Sequence, residues 1–115
     1  MCKKNQEELN HITSELVEKL LSTSGLKIKK VILYGSYARG DAKEDSDIDI
    51  MVLCDNREEE LDKRRFEVNS IGSDIGLEND ISLEVKIKDN NQFNEWSEVV
   101  PFYQNINHEG RVLYG

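Results

Sequence analysis

Apolar residues recur at helical spacing near the start of the chain. Between about Asn5 and Thr23 polar residues separate them, and this pattern predicts an amphipathic helix that buries Leu9, Ile12, Leu16, Val17, Leu20 and Leu21. The small residues at 22–25 are typical of a helix end. A second long helix is predicted over residues 57–77, whose apolar positions are Leu61, Val68, Ile71 and Ile75.

Three short segments have the composition of β-strands. Residues 27–34 (KIKKVILY) and 48–53 (IDIMVL) flank a polar turn region, and residues 81–88 (ISLEVKIK) alternate apolar with polar side chains. A short helix is predicted over residues 91–99, followed by Pro101, one more helical turn and a short apolar end. The order helix, strand, strand, helix, strand, helix predicts an α+β domain with helices packed on a small sheet.

The chain has 115 residues, of which 15 are basic and 23 acidic, giving a formal net charge of −8. This length fits a single domain, residues 1–115. Because we find neither a membrane-spanning apolar run nor an apolar signal segment, we expect a cytoplasmic protein that contacts no membrane. The acidic surface disfavours a nucleic acid as direct substrate. The two cysteines, Cys2 and Cys54, form no metal motif, and we expect reduced thiols.

The segment that joins the first two predicted strands carries the chemistry. The first strand ends at Gly35 and Ser36, where glycine permits close backbone approach and serine offers a hydroxyl group and an N-cap for a short helix. Arg39 lies on the same side of that helical turn, and its guanidinium group suits bidentate contact with a phosphate. Glycine–serine turns are common after strands, so these residues alone are a weak signal of phosphate binding.

Two aspartates follow at the start of the second strand. Ten residues separate Ser36 from Asp47, and Asp49 lies two residues further on. Side chains two positions apart in a strand point to one face, so we expect the two carboxylates to lie close together. Such carboxylates repel each other unless a cation lies between them, and Mg²⁺ accepts one or two carboxylates together with substrate phosphates. The spacing predicts phosphoryl or nucleotidyl transfer from a nucleoside triphosphate.

A third carboxylate would complete a site for two metal ions. Glu84 and Asp80 have the same parity in the third predicted strand, so both are expected to face one side. We favour Glu84 because it stands mid-strand between apolar residues; the alternative is an exposed position on an edge strand. A calcium-binding loop starting at Asp45 is excluded, because Ile50 and Asn56 stand where it needs glycine and glutamate.

The joined pattern LYGSYARGDAKEDSDIDIMV resembles the nucleotidyltransferase superfamily that includes DNA polymerase β, and in particular its minimal members (MNT). The closing stretch PFYQNINHEGRVLYG is similar to the end of such bacterial proteins. The resemblance implies a nucleotidyltransferase fold, a small mixed sheet flanked by helices. It also implies two sets of site residues: Gly35, Ser36 and Arg39 for the triphosphate of ATP, and Asp47, Asp49 and Glu84 as catalytic ligands of one or two Mg²⁺ ions.

Minimal nucleotidyltransferases are typically encoded beside a HEPN-domain protein, with which they form a toxin–antitoxin pair. The resemblance implies that this chain is the antitoxin and transfers AMP from ATP to a tyrosine of a HEPN toxin, which is an RNase. Two alternatives remain open: a small-molecule nucleotidyltransferase of the aminoglycoside-modifying kind, and a non-catalytic antitoxin that covers its partner. The first usually carries an extra helical domain, for which 115 residues leave no space.

Overall fold

The computed structural model describes residues 3–115. Within them the elements follow one another as α1 (Gln6–Leu21), β1 (Ile28–Tyr34), α2 (Ser36–Arg39), β2 (Ile48–Cys54), α3 (Glu58–Asp62), α4 (Arg65–Glu78), β3 (Leu83–Asp89), α5 (Asn90–Trp96), α6 (Pro101–Glu109) and β4 (Arg111–Tyr114). The strands form one sheet in the order β3-β2-β1-β4. β1 pairs antiparallel with β2 and β4, whereas β2 and β3 are parallel, so the sheet is mixed.

The first helix confirms the prediction from apolar spacing. It begins at a capping box, in which the Asn5 side chain accepts a hydrogen bond from the Glu8 N–H and the Glu8 carboxylate accepts one from the Asn5 N–H. The apolar stripe is buried against the sheet at Leu9, Ile12, Leu16 and Leu20. The capping box thus determines where α1 starts, and the apolar stripe determines which face it buries.

Helices cover both faces of the sheet. On one face, α1 and α4 pack on the strands in a core that includes Leu16, Val31, Ile50 and Ile75. On the other, α5 and α6 cover a smaller cluster made of Ile32, Tyr34, Met51, Leu53, Phe93 and Ile106. Because both faces are covered, the central strands β1 and β2 carry long apolar runs. The expected α+β class, a small mixed sheet flanked by helices, is confirmed.

The prediction of one long helix over residues 57–77 is wrong in one respect, because the structure has two helices there, α3 and α4. A cluster of ion pairs lies at the break. The guanidinium group of Arg65 lies 2.7 Å from Glu58 and 2.9 Å from Asp62, and it donates a hydrogen bond to the Ile87 carbonyl at 3.0 Å. These contacts fasten the start of α4 to β3, and apolar periodicity carries no information about them.

The end of the chain is more regular than predicted. Where the sequence suggested one helical turn, α6 has nine residues, with Pro101 in its first turn, where a missing N–H is harmless. The apolar end is a strand, β4, which adds to the sheet beside β1. A four-residue strand is too short to show a clear alternation, so only its pairing with β1 identifies it.

Two smaller expectations concern membranes and thiols. No helix between residues 3 and 115 is long and apolar enough to cross a membrane. Cys54 is a buried free thiol, and burial, followed by the charge of Asp55, raises its pKa to about 11. It is therefore an unreactive core residue. Cys2 lies outside the described residues.

Candidate active site

Three polar side chains form one row across the sheet, on the face covered by α5 and α6. Tyr34 at the end of β1 pairs in register with Asp49 on β2, and Asp49 pairs in register with Glu84 on β3. Side chains in register on neighbouring strands point to the same face. The sheet therefore places Glu84 directly beside Asp49, although the two are far apart in the sequence.

Gly35 turns the chain from β1 into α2. Its φ is +76°, and a Cβ atom at this position would overlap with Oδ2 of Asp49. Both features require glycine. The close backbone approach predicted for Gly35 is thus to the Asp49 carboxylate. Gly35 is also the N-cap of α2, which corrects the prediction for Ser36: serine is the first residue of the helix.

A cavity of about 370 Å³ opens beside Asp49. Part of its lining comes from the β1–α2 segment, through Tyr34, Gly35, Ser36 and Arg39. Another part comes from α6, and consists of Phe102, Asn105, Ile106 and Glu109. The fold thus gathers around one concave site the three residues that the sequence predicted to hold a triphosphate and one of the predicted metal ligands.

Arg39 is exposed and is paired within the chain. Its Nη1 lies 3.2 Å from Oε2 of Glu109, and its Nε lies 3.3 Å from Oδ2 of Asp41. Exposed ion pairs of this kind contribute little to stability. The guanidinium group can therefore exchange these carboxylates for a phosphate, to which it binds in bidentate fashion.

The carboxyl group of Asp49 is half-buried and surrounded by negative charge. Burial, and then the charges of Glu84 and Asp47, raise its pKa above the ordinary value, while Lys86 and Arg39 act in the opposite direction. Asp49 is therefore a carboxylate whose charge the free protein stabilises poorly. Such groups are found preferentially at functional sites.

Asp47 lies just before β2, which begins at Ile48 as predicted. Its exposed side chain lines a second cavity with Asp45 and Ser82, whereas Asp49 lines the first. The two carboxylates are thus on either side of the start of the strand, and the charge of Asp47 acts on Asp49.

The parity argument for Asp80 is wrong. This residue lies in the turn after α4, with a φ of +54°, and β3 begins only at Leu83. A residue outside the strand does not share the alternation of side chains that the strand imposes. Of the two candidates for a third carboxylate, Glu84 alone lies on β3.

Within residues 3–115, no three His, Cys, Asp or Glu side chains converge as a group able to hold a metal ion. The predicted ligands Asp47, Asp49 and Glu84 are thus an open arrangement rather than a closed cage. Carboxylate oxygens are nevertheless the donors that Mg²⁺ prefers, and Mg²⁺ commonly takes only one or two of them because phosphates and water supply the rest. Burial, and then the charges of Glu84 and Asp47, raise the pKa of Asp49, and a bound cation would stabilise the charged carboxylate against both, so the donor set fits Mg²⁺ bound together with a triphosphate.

Sequence reasoning missed two contributors to the cavity. One is α6, which contributes Phe102, Asn105 and Glu109. Intervals of three and four residues place these side chains on one helix face, but the sequence pattern predicts only a single helical turn there. The other is Tyr34, whose hydroxyl is buried without a hydrogen-bond partner in the described part of the chain. Burial, and then the charges of Asp49 and Glu84, raise the pKa of Tyr34 to about 12.

Comparisons with known proteins identify relatives of the chain. It matches the family model of the nucleotidyltransferase domain over residues 13–113. A Methanocaldococcus jannaschii protein, provisionally named a protein adenylyltransferase, is 37% identical over 103 residues, which cover 87% of this chain and 92% of that protein. A second protein of that organism, with the same provisional name, is 39% identical over 74 residues, 64% of this chain and 48% of the relative.

Two solved structures have a similar fold. A crystal structure of a toxin–antitoxin with AMP-PNP aligns with a TM-score of 0.60 at 22% identity, over 92% of this chain and 73% of that chain. A tri-AMPylated Shewanella oneidensis HEPN toxin in complex with its MNT antitoxin aligns with a TM-score of 0.50 at 19% identity, over 96% and 71%. At these identities the likeness concerns the fold. Since the family match spans nearly the whole sequence, this chain belongs to the nucleotidyltransferase domain family.

Proposed function

We propose that this chain is a protein adenylyltransferase, which takes ATP with Mg²⁺ and transfers AMP to a hydroxyl group of a partner protein. The observation that carries the proposal is the grouping of Gly35, Ser36, Arg39 and Asp49 around one cavity, with Glu84 beside Asp49 in the sheet. Groups suited to phosphates and carboxylates suited to a metal then share one site, as nucleotidyl transfer requires. The provisional name of the relatives supports a protein as acceptor.

Each residue has a role in this proposal. Ser36 and Arg39 hold and orient the triphosphate, the guanidinium group binding phosphate oxygens in place of Glu109 and Asp41. The carboxylates that would hold the cation are Asp47, Asp49 and Glu84. When bound, Mg²⁺ supplies charge neutralisation for the phosphates and polarises the α-phosphorus.

The transfer itself is a displacement at the α-phosphorus. The acceptor oxygen forms a bond to the α-phosphorus. At the same time the bond between the α-phosphorus and the oxygen that bridges it to the β-phosphate breaks, and pyrophosphate leaves. The proton of the acceptor hydroxyl passes to a carboxylate of the site. Our candidate for this carboxylate is Glu84, because it lies on the side of Asp49 away from Tyr34.

We further propose that the acceptor is a tyrosine of a HEPN-type toxin and that the chain acts as its antitoxin. The support is the sequence pattern from Gly35 to Asp49, together with the fold likeness to an MNT antitoxin solved with an AMPylated HEPN toxin. The net charge of −8 would favour encounter with a basic partner.

The experiment combines the purified chain, Mg²⁺ and the HEPN-domain protein encoded beside it with ATP labelled at the α- or the γ-phosphate. We expect label on the partner from the α-position and none from the γ-position, and no transfer in EDTA. Asp49→Asn should lower the rate by about 100-fold or more. The matched control is Asp55→Asn, which removes an exposed carboxylate just after β2, paired only with Lys29 at 3.8 Å in the described part of the chain.

Three results would contradict parts of the proposal. A partner without label, or an Asp49→Asn variant as fast as the parent, would reject adenylyl transfer through this site. Label on a residue other than tyrosine would reject the tyrosine acceptor alone. Inhibition of the partner's RNase activity that persists unchanged in Asp49→Asn would indicate a non-catalytic antitoxin.

A further inference from the structure

β3 is an edge strand whose outer side is only partly covered. The Ile48 N–H donates to the Ser82 carbonyl, so in this parallel register the even-numbered residues of β3 direct their backbone groups to β2 and the odd-numbered ones direct theirs outward. Two outward groups are occupied: the Ile87 carbonyl accepts from Arg65, and the Asp89 N–H donates to Glu58. This leaves the outward N–H and carbonyl groups at residues 83–85 without a hydrogen-bond partner among residues 3–115, with Gly72 and Gly76 of α4 beside the Leu83 backbone.

Leu83 and Val85 supply the open groups. Their outward N–H and carbonyl groups have no hydrogen-bond partner among residues 3–115. A free strand edge of this kind is a template for pairing with another extended chain. Natural proteins that keep such an edge often use it to bind a peptide as an additional strand.

A groove runs along this open edge, and we call it the edge groove. It consists of two cavities, of about 380 and 300 Å³, whose linings share Asn69, Val85 and Lys86. Asn69 and Ser73 form its α4 wall, and their side chains make no hydrogen bond within the described ranges. Glu84 also lines the groove, which therefore reaches the row of Asp49 and Glu84.

The two most exposed large apolar side chains among residues 3–115 flank the α4 wall. Phe66 is 87% exposed and Leu77 is 82% exposed. Eleven residues correspond to about three helical turns, so both project on the side of α4 that carries Ser73, about 16 Å apart. Neither side chain lines the two cavities, but each offers apolar area that a polypeptide bound along the α4 wall would bury.

The charge of the groove favours an acidic segment. Lys86 and Lys88 follow Glu84 on the same face of β3. Lys86 has no ion pair in the described part of the chain, and its Nζ lies 5.4 Å from the ring centroid of Phe102. Lys88 lies 3.7 Å from Glu58, a carboxylate that it shares with Arg65. In a chain with a net charge of −8, Lys86 is thus an available cation beside a candidate catalytic carboxylate.

We propose that an extended segment of the acceptor protein binds in the edge groove as an additional strand, with its acceptor hydroxyl beside Glu84 and an acidic side chain beside Lys86. Its backbone pairs with Leu83 and Val85. Because every second side chain of a strand faces the same side, the hydroxyl and the acid are two residues apart. This inference deepens the proposed function and rests on it for the identity of the hydroxyl group as acceptor.

The position of the groove favours the acceptor over a second copy of this chain. The edge groove lies on the β3 side of Asp49, and the nucleotide cavity lies on the side of β1 and α2. Neighbouring strands are about 4.8 Å apart, so a strand added outside β3 lies about 10 Å from β2, and a long side chain beside Glu84 extends from it toward Asp49. A segment in the groove and a triphosphate in the cavity approach Asp49 from opposite sides, as an in-line displacement needs.

The probe is a capped octapeptide of serine and threonine with tyrosine at position four and aspartate at position six. Binding to the ¹⁵N-labelled full chain is followed by NMR without ATP. We expect the largest amide shifts at residues 83–86. Lysine in place of the aspartate should weaken binding about three- to tenfold, and N-methylation of the peptide amides that face β3 should abolish it.

Variants of the chain provide the matched test. Leu83→Pro removes the outward N–H without breaking a bond to β2, and Pro is tolerated on an edge strand. Leu83→Ala shortens the side chain and keeps the N–H. We expect peptide binding to fall at least tenfold in Leu83→Pro and less than threefold in Leu83→Ala, with thermal unfolding showing that both variants fold.

The proposal is overturned if the shifts concentrate away from β3, or if N-methylated and unmodified peptides bind equally. It is also overturned if the chain dimerises by itself and Leu83→Pro makes it monomeric, because a second copy then occupies the edge. A chain that binds the peptide at residues 83–86 but transfers no AMP to any acceptor supports the groove and rejects the proposed function alone.

Discussion

At the scale of single residues, the site is organised around Asp49. Tyr34 and Glu84 lie on either side of it in the register of the sheet, and Gly35 passes so close that no side chain fits between them. This crowding holds the carboxylate in one place and also raises its pKa. The same neighbours therefore fix the position of the Asp49 carboxylate and raise the free energy of its charged form. Carboxylates with such a raised pKa are frequent at functional sites.

The first prediction concerns Gly35. Gly35→Ala should lower the free energy of unfolding by about 2–4 kcal/mol, because the new methyl group overlaps with Asp49 and φ is positive. Gly40→Ala is the control, since its φ is +87° but a Cβ atom there meets nothing within 4 Å. It should cost about 1 kcal/mol, from the backbone alone. Urea unfolding measures both variants, and equal losses would show that the contact with Asp49 is unimportant.

The second prediction concerns the charge of Asp49. A carboxyl group whose pKa is raised by folding stabilises the fold at low pH, and this contribution is lost as the pH rises through the folded-state value. At pH 7, Asp49→Asn should therefore raise Tm, by about 1–3 °C because the group is only half-buried. The increase should vanish near pH 3, where the parent is protonated as well.

Calorimetry at several pH values checks this prediction. Asp74→Asn is the control, since Asp74 is exposed on α4 and has no ion pair in the part of the chain that the structure describes. We expect its Tm to follow the parent at every pH. A fall in Tm for Asp49→Asn at pH 7 would mean that Asp49 stabilises the free protein, contrary to its raised pKa.

At the scale of elements, the contact between α4 and β3 decides where Glu84 lies. Gly72 and Gly76 face the strand, and Cβ atoms at these positions would meet Val85 at 3.0 Å and the Ile81 carbonyl at 2.6 Å. Arg65 fixes the other end of α4 to the Ile87 carbonyl. The helix therefore packs closely on the edge strand, with its glycines against the backbone that precedes Glu84.

The third prediction tests this packing. Gly76→Ala would gain up to about 1 kcal/mol in helix propensity, but its methyl group has no room beside the Ile81 carbonyl. We expect a net loss of about 1–3 kcal/mol in the free energy of unfolding. Ser70→Ala, on the exposed side of the same helix, should be neutral or slightly stabilising. Chemical denaturation checks both, and a more stable Gly76→Ala variant would show that α4 has room to move.

The helices and strands that the sequence predicts correctly are those with a clear apolar periodicity of their own. α1, β1, β2 and β3 were all found near their predicted positions, because apolar periodicity reflects burial against a neighbouring layer. The break between α3 and α4 was missed because it depends on Arg65 reaching β3. β4 was missed because four residues show no period and only pairing with β1 makes them a strand.

At the scale of the whole molecule, the surface is acidic overall but contains two regions with basic side chains, one on either side of Asp49. The net charge of −8 is spread over helices, while the nucleotide cavity and the edge groove each contain basic residues, Arg39 in one and Lys86 in the other. The mixed sheet places these two regions on opposite sides of Asp49. An anionic protein can thus offer local cations to a triphosphate and to an acidic segment.

The sequence by itself determined the α+β class and the membership in a nucleotidyltransferase family, because the spacing from Gly35 to Asp49 and the apolar periods are local properties of the chain. Only the tertiary structure decided which carboxylate stands beside Asp49. The parallel register of β2 and β3 selects Glu84, and the turn after α4 removes Asp80 from the strand. The same holds for Tyr34, α6 and the edge groove. Their arrangement arises from strand order and helix packing, which no local pattern encodes.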